Sequence, residues 1–210
     1  KISFSQDTGI NVIQNKLGLR PWTAESVFNT FFRPNPDDPA AEQASREAAE
    51  AQVAAFENAL ANGGLIDYED EIYGETGLIT ETRLSASGGN NKTKFYVGGS
   101  YRDEEGIIKN TGFDRFSIRG NIDHRISEVF DFSLSTNYVR SNSSRSFTGN
   151  ENEGGLSYGY TLAFTRPWFN LFPNDDGNYP NNPNYSGNPI FVRDRAINED
   201  SNNRFIQGLK

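Results

Sequence analysis

The clearest order along the chain has a period of two. In FDRFSIRGNIDHRISEVFDFSLSTNYVR, residues 113 to 140, apolar and polar positions alternate. Phe116, Ile118, Ile122 and Ile126 fall on one side, against Arg115, Ser117, Arg119, Asn121, Asp123 and Arg125. Phe130, Phe132, Leu134 and Tyr138 then oppose Asp131, Ser133, Ser135 and Asn137. Successive strand side chains point to opposite faces, so this reads as two adjacent strands with a very short turn around Ser127 and Glu128. The same period sets Thr80, Thr82, Leu84 and Ala86 against Glu81, Arg83 and Ser85. Over 92–102 it sets Phe95, Val97 and Tyr101 against Lys94, Tyr96 and Ser100. The GGNN between these two segments is expected to turn tightly, its Gly and Asn supplying the positive φ of a hairpin. Lys1 to Thr8 alternates as well, with Ile2 and Phe4 opposite Ser3 and Ser5.

Two segments break the pattern with helical signals. Thr23 can cap a brief helix over AESVFNTFF, and DDPAAEQASREAAEAQVAAFENALANGG predicts a longer one. Asp38 supplies its cap, Pro39 suits its first turn, and Gly63 and Gly64 end it. Val53, Phe56 and Leu60 form one narrow apolar stripe, so the helix lies on something with one side only.

Strand parity orders these pieces. If 79–87 runs down, 92–102 runs up, 113–125 down and 129–140 up, which puts both tight turns at one end and the longer connections at the other. The acidic DEEG, 103–106, is expected at a charged loop tip. LSYGYTLAFT, 156–165, has the length of a further strand, but that would leave the Pro- and Asn-rich stretch after it on the short-turn side. The whole of 141–202 is therefore expected to be one long loop without regular sheet, with RFIQGLK opening the next strand.

The resulting segmentation is a first strand over 1–12, a loop over 13–78 with helices at about 23–32 and 38–62, four antiparallel strands over 79–140, the long loop 141–202, and a strand beginning at 203–210. The chain is thus expected to stop inside a strand. Its opening, KISFSQDTG, lacks the apolar run and cleavage site of a signal peptide and has no initiator Met, as expected of a mature chain or an excised piece.

Composition narrows what the two faces meet. Hydrophobic residues are 35% of 210 and the mean hydropathy is −0.68, which argues against a large dry core. The 16 Phe and 9 Tyr are nonetheless too many for a disordered chain. A net charge of −8 argues against a nucleic-acid partner, which would require clustered Lys and Arg. The absence of Cys removes disulfides and thiolate metal sites. No apolar run reaches the roughly 18 residues of a membrane helix, but a barrel strand needs only about 10 alternating residues. One alternative is a soluble extracellular β module, a glycan-binding or adhesin domain, whose strands also alternate. Strands of this length favour lipid, as do aromatics near their ends at Phe95, Tyr101, Phe113, Phe116, Phe130 and Tyr138. The fold expected is mainly β, an antiparallel transmembrane β-barrel segment with long extracellular loops, one containing helices.

Several short motifs then stand together in order: DEIY, LSASGG, and KTKFYVGGSYRDEEGIIKNTGFDRFSIRGNID, within residues 68 to 123. They closely resemble the early barrel of SusC/RagA-family TonB-dependent transporters. KISF is similar to that family's first barrel strand, RPWFNLFPNDDGNY with the later NPI to its Pro-then-DG loop, and NRFIQGLK to the strand that follows. The resemblance implies a large plugged barrel in the outer membrane of a Gram-negative, Bacteroidetes-type bacterium. It implies import of oligosaccharides or peptides, with a SusD-like surface lipoprotein outside and TonB inside, the latter reached through regions absent from this chain. It implies transport and not an enzyme.

Candidate binding residues lie in the long loop. Aromatics beside carboxylates and amides suit stacking on a sugar ring with hydrogen bonds to its hydroxyls. Trp168, Phe169, Asp175, Asp176, Tyr179 and Tyr185 are therefore expected to face substrate or the lipoprotein lid, with Trp168 as the main anchor. The oxygen-rich NPDDP and PNDDGNYPNN read as solvated turns, because the second lacks the Asp spacing of an EF-hand loop. No metal site and no cofactor are expected. The lone His124 has no second ligand or nucleophile nearby in the pattern, so no catalytic residue is expected.

Overall fold

Six strands form one sheet in sequence order: β1 (Ile2–Asn11), β2 (Gly77–Gly89), β3 (Thr93–Glu105), β4 (Gly112–Arg125), β5 (Asp131–Ser144) and β6 (Glu199–Leu209). Each pairs antiparallel with the next. The computed structural model describes residues 1–149 and 155–210.

The register resolves the two faces. Leu84, Gly99, Ile118, Tyr138 and Phe205 are aligned across five strands, and two steps along the same face are Gly88, Phe95, Ile122, Leu134 and Leu209. The opposite face carries rows such as Asp7, Glu81, Arg102, Arg115 and Ser141. On β4 the apolar band runs from Phe116 to Ile122, about 20 Å along the strand at 3.4 Å per residue. Beyond it the same face turns polar, with Thr80, Asp103, Asp114, Asn142 and Ser201 in line.

Both short turns lie at one end of the sheet. After Gly89 (φ 151), Asn90 N–H donates to the Thr93 carbonyl at 2.7 Å, and Asn90 Oδ1 accepts from the amides of Lys92 and Thr93 at 2.8 and 2.9 Å. The turn therefore uses Gly for conformation and Asn as an acceptor; the expectation of positive φ at Asn is not met here. In the second turn the amides of Ile126 and Ser127 donate to the Phe130 carbonyl, which leaves Phe130 in the turn and starts β5 at Asp131. The connections 12–76, 106–111 and 145–198 all leave from the other end. Between β3 and β4 the chain turns through Gly106 and Thr111, whose amide and carbonyl pair at 2.9 Å, with Asn110 at φ 63.

Three boundaries differ from the sequence reading. Residues 141–144 continue β5 and 199–202 open β6, because Ser141 to Ser144 pair with β4 on one side and with Glu199 to Asn202 on the other. Cross-strand pairing, not apolar content, extends the sheet there. Asp103 to Glu105, expected at a loop tip, belong to β3. Residues 158–164, weighed as a strand, form a helix, in which the Thr161 hydroxyl bonds back to the Ser157 carbonyl at 2.7 Å.

Helices occupy the long connections: α1 (Ala24–Phe31), α2 (Pro39–Ala61), α3 (Tyr68–Tyr73), α4 (Tyr158–Phe164) and α5 (Pro189–Arg195). Among the described residues, no helix is long and apolar enough to cross a membrane. Thr23 and Ser26 form a reciprocal capping box on α1. Asp38 caps α2 through the Ala41 amide at 3.1 Å, and its end is closed by Gly64 N–H on the Ala59 carbonyl at 2.8 Å.

The chain divides into two compact units. One holds the sheet (Lys1–Gln14, Ile72–Ser146, Arg193–Lys210) and the other the helical connections (Asn15–Glu71, Phe147–Val192). The helical unit has its own core, where Val27, Phe56 and Trp168 are buried with Trp22, Phe31, Val53 and Leu65 against them. Its Asn residues tie loops together from inside. Asn188 Nδ2 donates to the carbonyls of Leu171 and Pro180 at 2.8 and 2.9 Å, while its Oδ1 caps α5. Asn182 Nδ2 donates to Thr165 Oγ1 and the Gly187 carbonyl. Pro and Asn content thus produces a packed, irregular structure.

Candidate functional site

The expected binding residues take separate places. Trp168 is only 6% exposed. It packs edge-on against Trp22 (5.1 Å, 88°) and Phe56 (5.7 Å, 80°), and its Nε1 donates to Gln52 Oε1 at 3.1 Å. A surface anchor it is not; its ring is the middle of the helical core. Phe169 lies half-buried beside it at 6.2 Å. Asp175 and Asp176 are exposed on a turn where Gly177 (φ 79) donates to the Asn174 carbonyl. Tyr179 meets Phe191 of α5 edge to face at 5.3 Å, and Tyr185 stacks on Phe164 of α4 at 5.2 Å and 13°. Phe164 is 45% exposed, so the Tyr185 pair offers an aromatic surface of its own.

What gathers around the core is a set the sequence reading passed over. Arg-Pro-Trp occurs twice, at 20–22 and 166–168. The two tryptophans of these tripeptides meet each other, and both arginines lie against Trp22: Arg20 Cζ is 4.3 Å and Arg166 Cζ 5.7 Å from its ring centroid. Arg166 also lies 5.5 Å from the Phe31 ring, and its Nε is buried without a hydrogen-bond partner. Burial, and then the neighbouring Arg20 charge, lower the pKa of the Arg166 guanidinium below its usual value. The repeated tripeptide was the available signal. Tyr68 completes the packing, its hydroxyl donating to the Phe169 carbonyl at 2.5 Å and accepting from the Leu171 amide at 2.9 Å. Burial raises its pKa to about 12.

On the sheet, charge concentrates on the polar face. The Glu81 side chain, 9% exposed, lies 2.6 Å from Arg83, 3.7 Å from Arg102 and 4.0 Å from Arg115. Asp7 pairs with Arg83 and Glu104 with Arg102, so carboxylates and guanidiniums interlock across four strands. A groove of about 450 Å³ on the same face runs past Arg83, Ser85, Tyr96, Gly98, Ser117 and Arg119. His124 shares a hydrogen bond with Thr93 Oγ1 through Nδ1, at 2.7 Å. Among the described residues, no group of three or more His, Asp or Glu side chains is placed to hold a metal ion.

No family model matches the chain. Among curated proteins, TonB-dependent receptor P3 of Formosa agariphila is 33% identical over 138 residues, which is 63% of this chain and 13% of the relative. TonB-dependent receptor SusC of Bacteroides thetaiotaomicron is 24% identical over 159 residues, 67% of this chain and 16% of SusC. In the solved structure of the RagAB peptide transporter, a chain superposes with a TM-score of 0.60 at 17% identity, covering 98% of this chain and 26% of that one. The chain is thus similar to TonB-dependent receptors, SusC among them. It spans about an eighth to a sixth of the length of these curated relatives. Its six-stranded sheet has the fold seen in the RagAB structure.

Proposed function

We propose that this segment is part of the wall and outer loops of a transporter in the outer membrane of a Gram-negative bacterium. The sheet is a stretch of a closed barrel, its apolar face against lipid and its polar face toward the lumen. The helical unit stands outside the cell, where the full transporter imports oligosaccharides or peptides with a SusD-like lipoprotein and draws energy through TonB. The observation that carries this reading is the two-faced sheet in a chain similar to TonB-dependent receptors, with short turns at one end and long connections at the other. Strands β2 to β5, of 13 to 14 residues, are long enough to cross an outer membrane at the tilt of a barrel.

Single cysteines in a Cys-free full-length transporter test the orientation. Asp175→Cys should react with a membrane-impermeant maleimide on intact cells, and Asn91→Cys and Glu128→Cys only after permeabilisation. Equal labelling of both ends, or recovery of the protein in the soluble fraction, would sink the reading. Uptake of a labelled oligosaccharide or peptide should disappear on deletion of the gene or of TonB.

A further inference from the structure

Two cations stand beside Trp22 with no ion-pair partner among the described residues. Arg20 and Arg166 approach the same indole, which places two like charges within about 10 Å of each other, where they repel. Neither guanidinium makes a hydrogen bond or ion pair among the described residues, and Arg166 Nε is sealed from water. Acidic residues are not scarce, at 28 against 20 Lys and Arg, and elsewhere arginines take them, as Arg83, Arg102 and Arg193 do. An orphaned donor on a half-buried cation costs free energy unless a partner arrives from outside the unit.

The placement is also rigid. Arg166 lies between Phe31 and Trp22, and Trp22 is fixed by Trp168, which Gln52 holds. The proline after each arginine restricts its backbone to extended conformations. Arg20 is exposed, so a ligand can reach it. Guanidinium groups present planar pairs of donors that match oxyanions.

We propose that Arg20 and Arg166, held against Trp22 and Phe31, form a binding site for an oxyanion of the imported solute, a carboxylate or sulfate group. The source of the anion rests on the transporter reading above, but the site itself does not. Charge preference would then be set in the helical unit, which selects acidic solutes over neutral ones of the same size.

The test is calorimetric titration of the purified full-length transporter in detergent. The probes are oligogalacturonate, its neutral methyl ester, a sulfated oligosaccharide of similar length and an acidic hexapeptide, the last three distinguishing charge from carrier. At least one acidic probe should bind, and binding should weaken about tenfold or more in Arg20→Gln and in Arg166→Met. The methyl ester should bind weakly and equally to all three proteins. Met keeps an apolar stem between Trp22 and Phe31, and near-ultraviolet circular dichroism checks the tryptophan packing; if that variant is misfolded, Arg20→Gln, at an exposed position, carries the test alone. No binding of any acidic probe, equal binding of acidic and neutral probes, or unchanged affinity in Arg20→Gln overturns the site. Because binding is read on purified protein, such a result leaves localisation and uptake untouched, whereas anion binding in a protein absent from the outer membrane sinks the transporter reading alone.

Discussion

The indoles of Trp22 and Trp168 meet edge to face, 5.1 Å apart with planes at 88°, across 146 positions of sequence. Each follows an Arg-Pro pair, yet Trp168 is buried whereas Trp22 keeps two guanidiniums at its side. The contact therefore joins the core of the helical unit to its charged surface. Replacing Trp168 by Ala should cost the unit about 3–5 kcal/mol, since a large buried ring leaves a cavity and Gln52 loses its donor. Limited proteolysis should then cut within the connections 12–76 or 145–198 while the sheet stays resistant. Unchanged proteolysis would mean that the neighbouring rings close the gap.

Glu81 is the hub of the polar face, and its removal should be felt beyond its own strand. Glu81→Gln leaves Arg83, Arg102 and Arg115 facing one another beside Asp7 and Glu104. Because these arginines are partly exposed and screened, the loss should be modest, roughly 1–3 kcal/mol. The urea midpoint of the full-length protein in detergent should fall, and an added Arg102→Gln should recover part of the loss. Additive losses in the double variant would show that the pair is not coupled.

Tyr68 should give the helical unit an alkaline limit. Its phenol titrates at about 12 when folded, against 10.0 unperturbed, because burial disfavours the anion. A pKa raised by folding contributes stability that is complete below pH 10 and lost as pH rises toward 12. Tyr68→Phe should remove this dependence while weakening the unit at neutral pH, where the hydroxyl bridges Phe169 and Leu171. Absorbance titration at 295 nm of the wild type and the variant measures the phenol directly; a Tyr68 that ionises near 10 would contradict the burial argument.

With the apolar face in lipid, Ile118→Arg should impair assembly, at about 2–4 kcal/mol for a charge near the membrane midplane. Ser135→Arg, on the polar face, should assemble nearly normally. Heat-modifiable migration on gels reads the outcome, and equal tolerance at both positions would show that the apolar face does not meet lipid.

Alternation alone told which residues of β3, β4 and β5 share a face, because side-chain direction in a strand follows from backbone geometry and needs no partner. Helix starts were legible for the same reason: Thr23 and Asp38 cap through bonds within three residues. Strand ends were not, since Ser141 to Ser144 are extended by the partners on either side and carry no apolar signal. The fate of the aromatics was beyond local reading as well. Trp168 and Tyr185 look alike in composition, but one is sealed by Gln52 and Phe56 from α2 and the other stacks on a half-exposed Phe164. Burial is decided by what arrives from distant parts of the chain. The pairing of Arg20 with Arg166 belongs to the same class: the sequence contained the repeated Arg-Pro-Trp, and only the packing of Trp22 on Trp168 brought the two charges together.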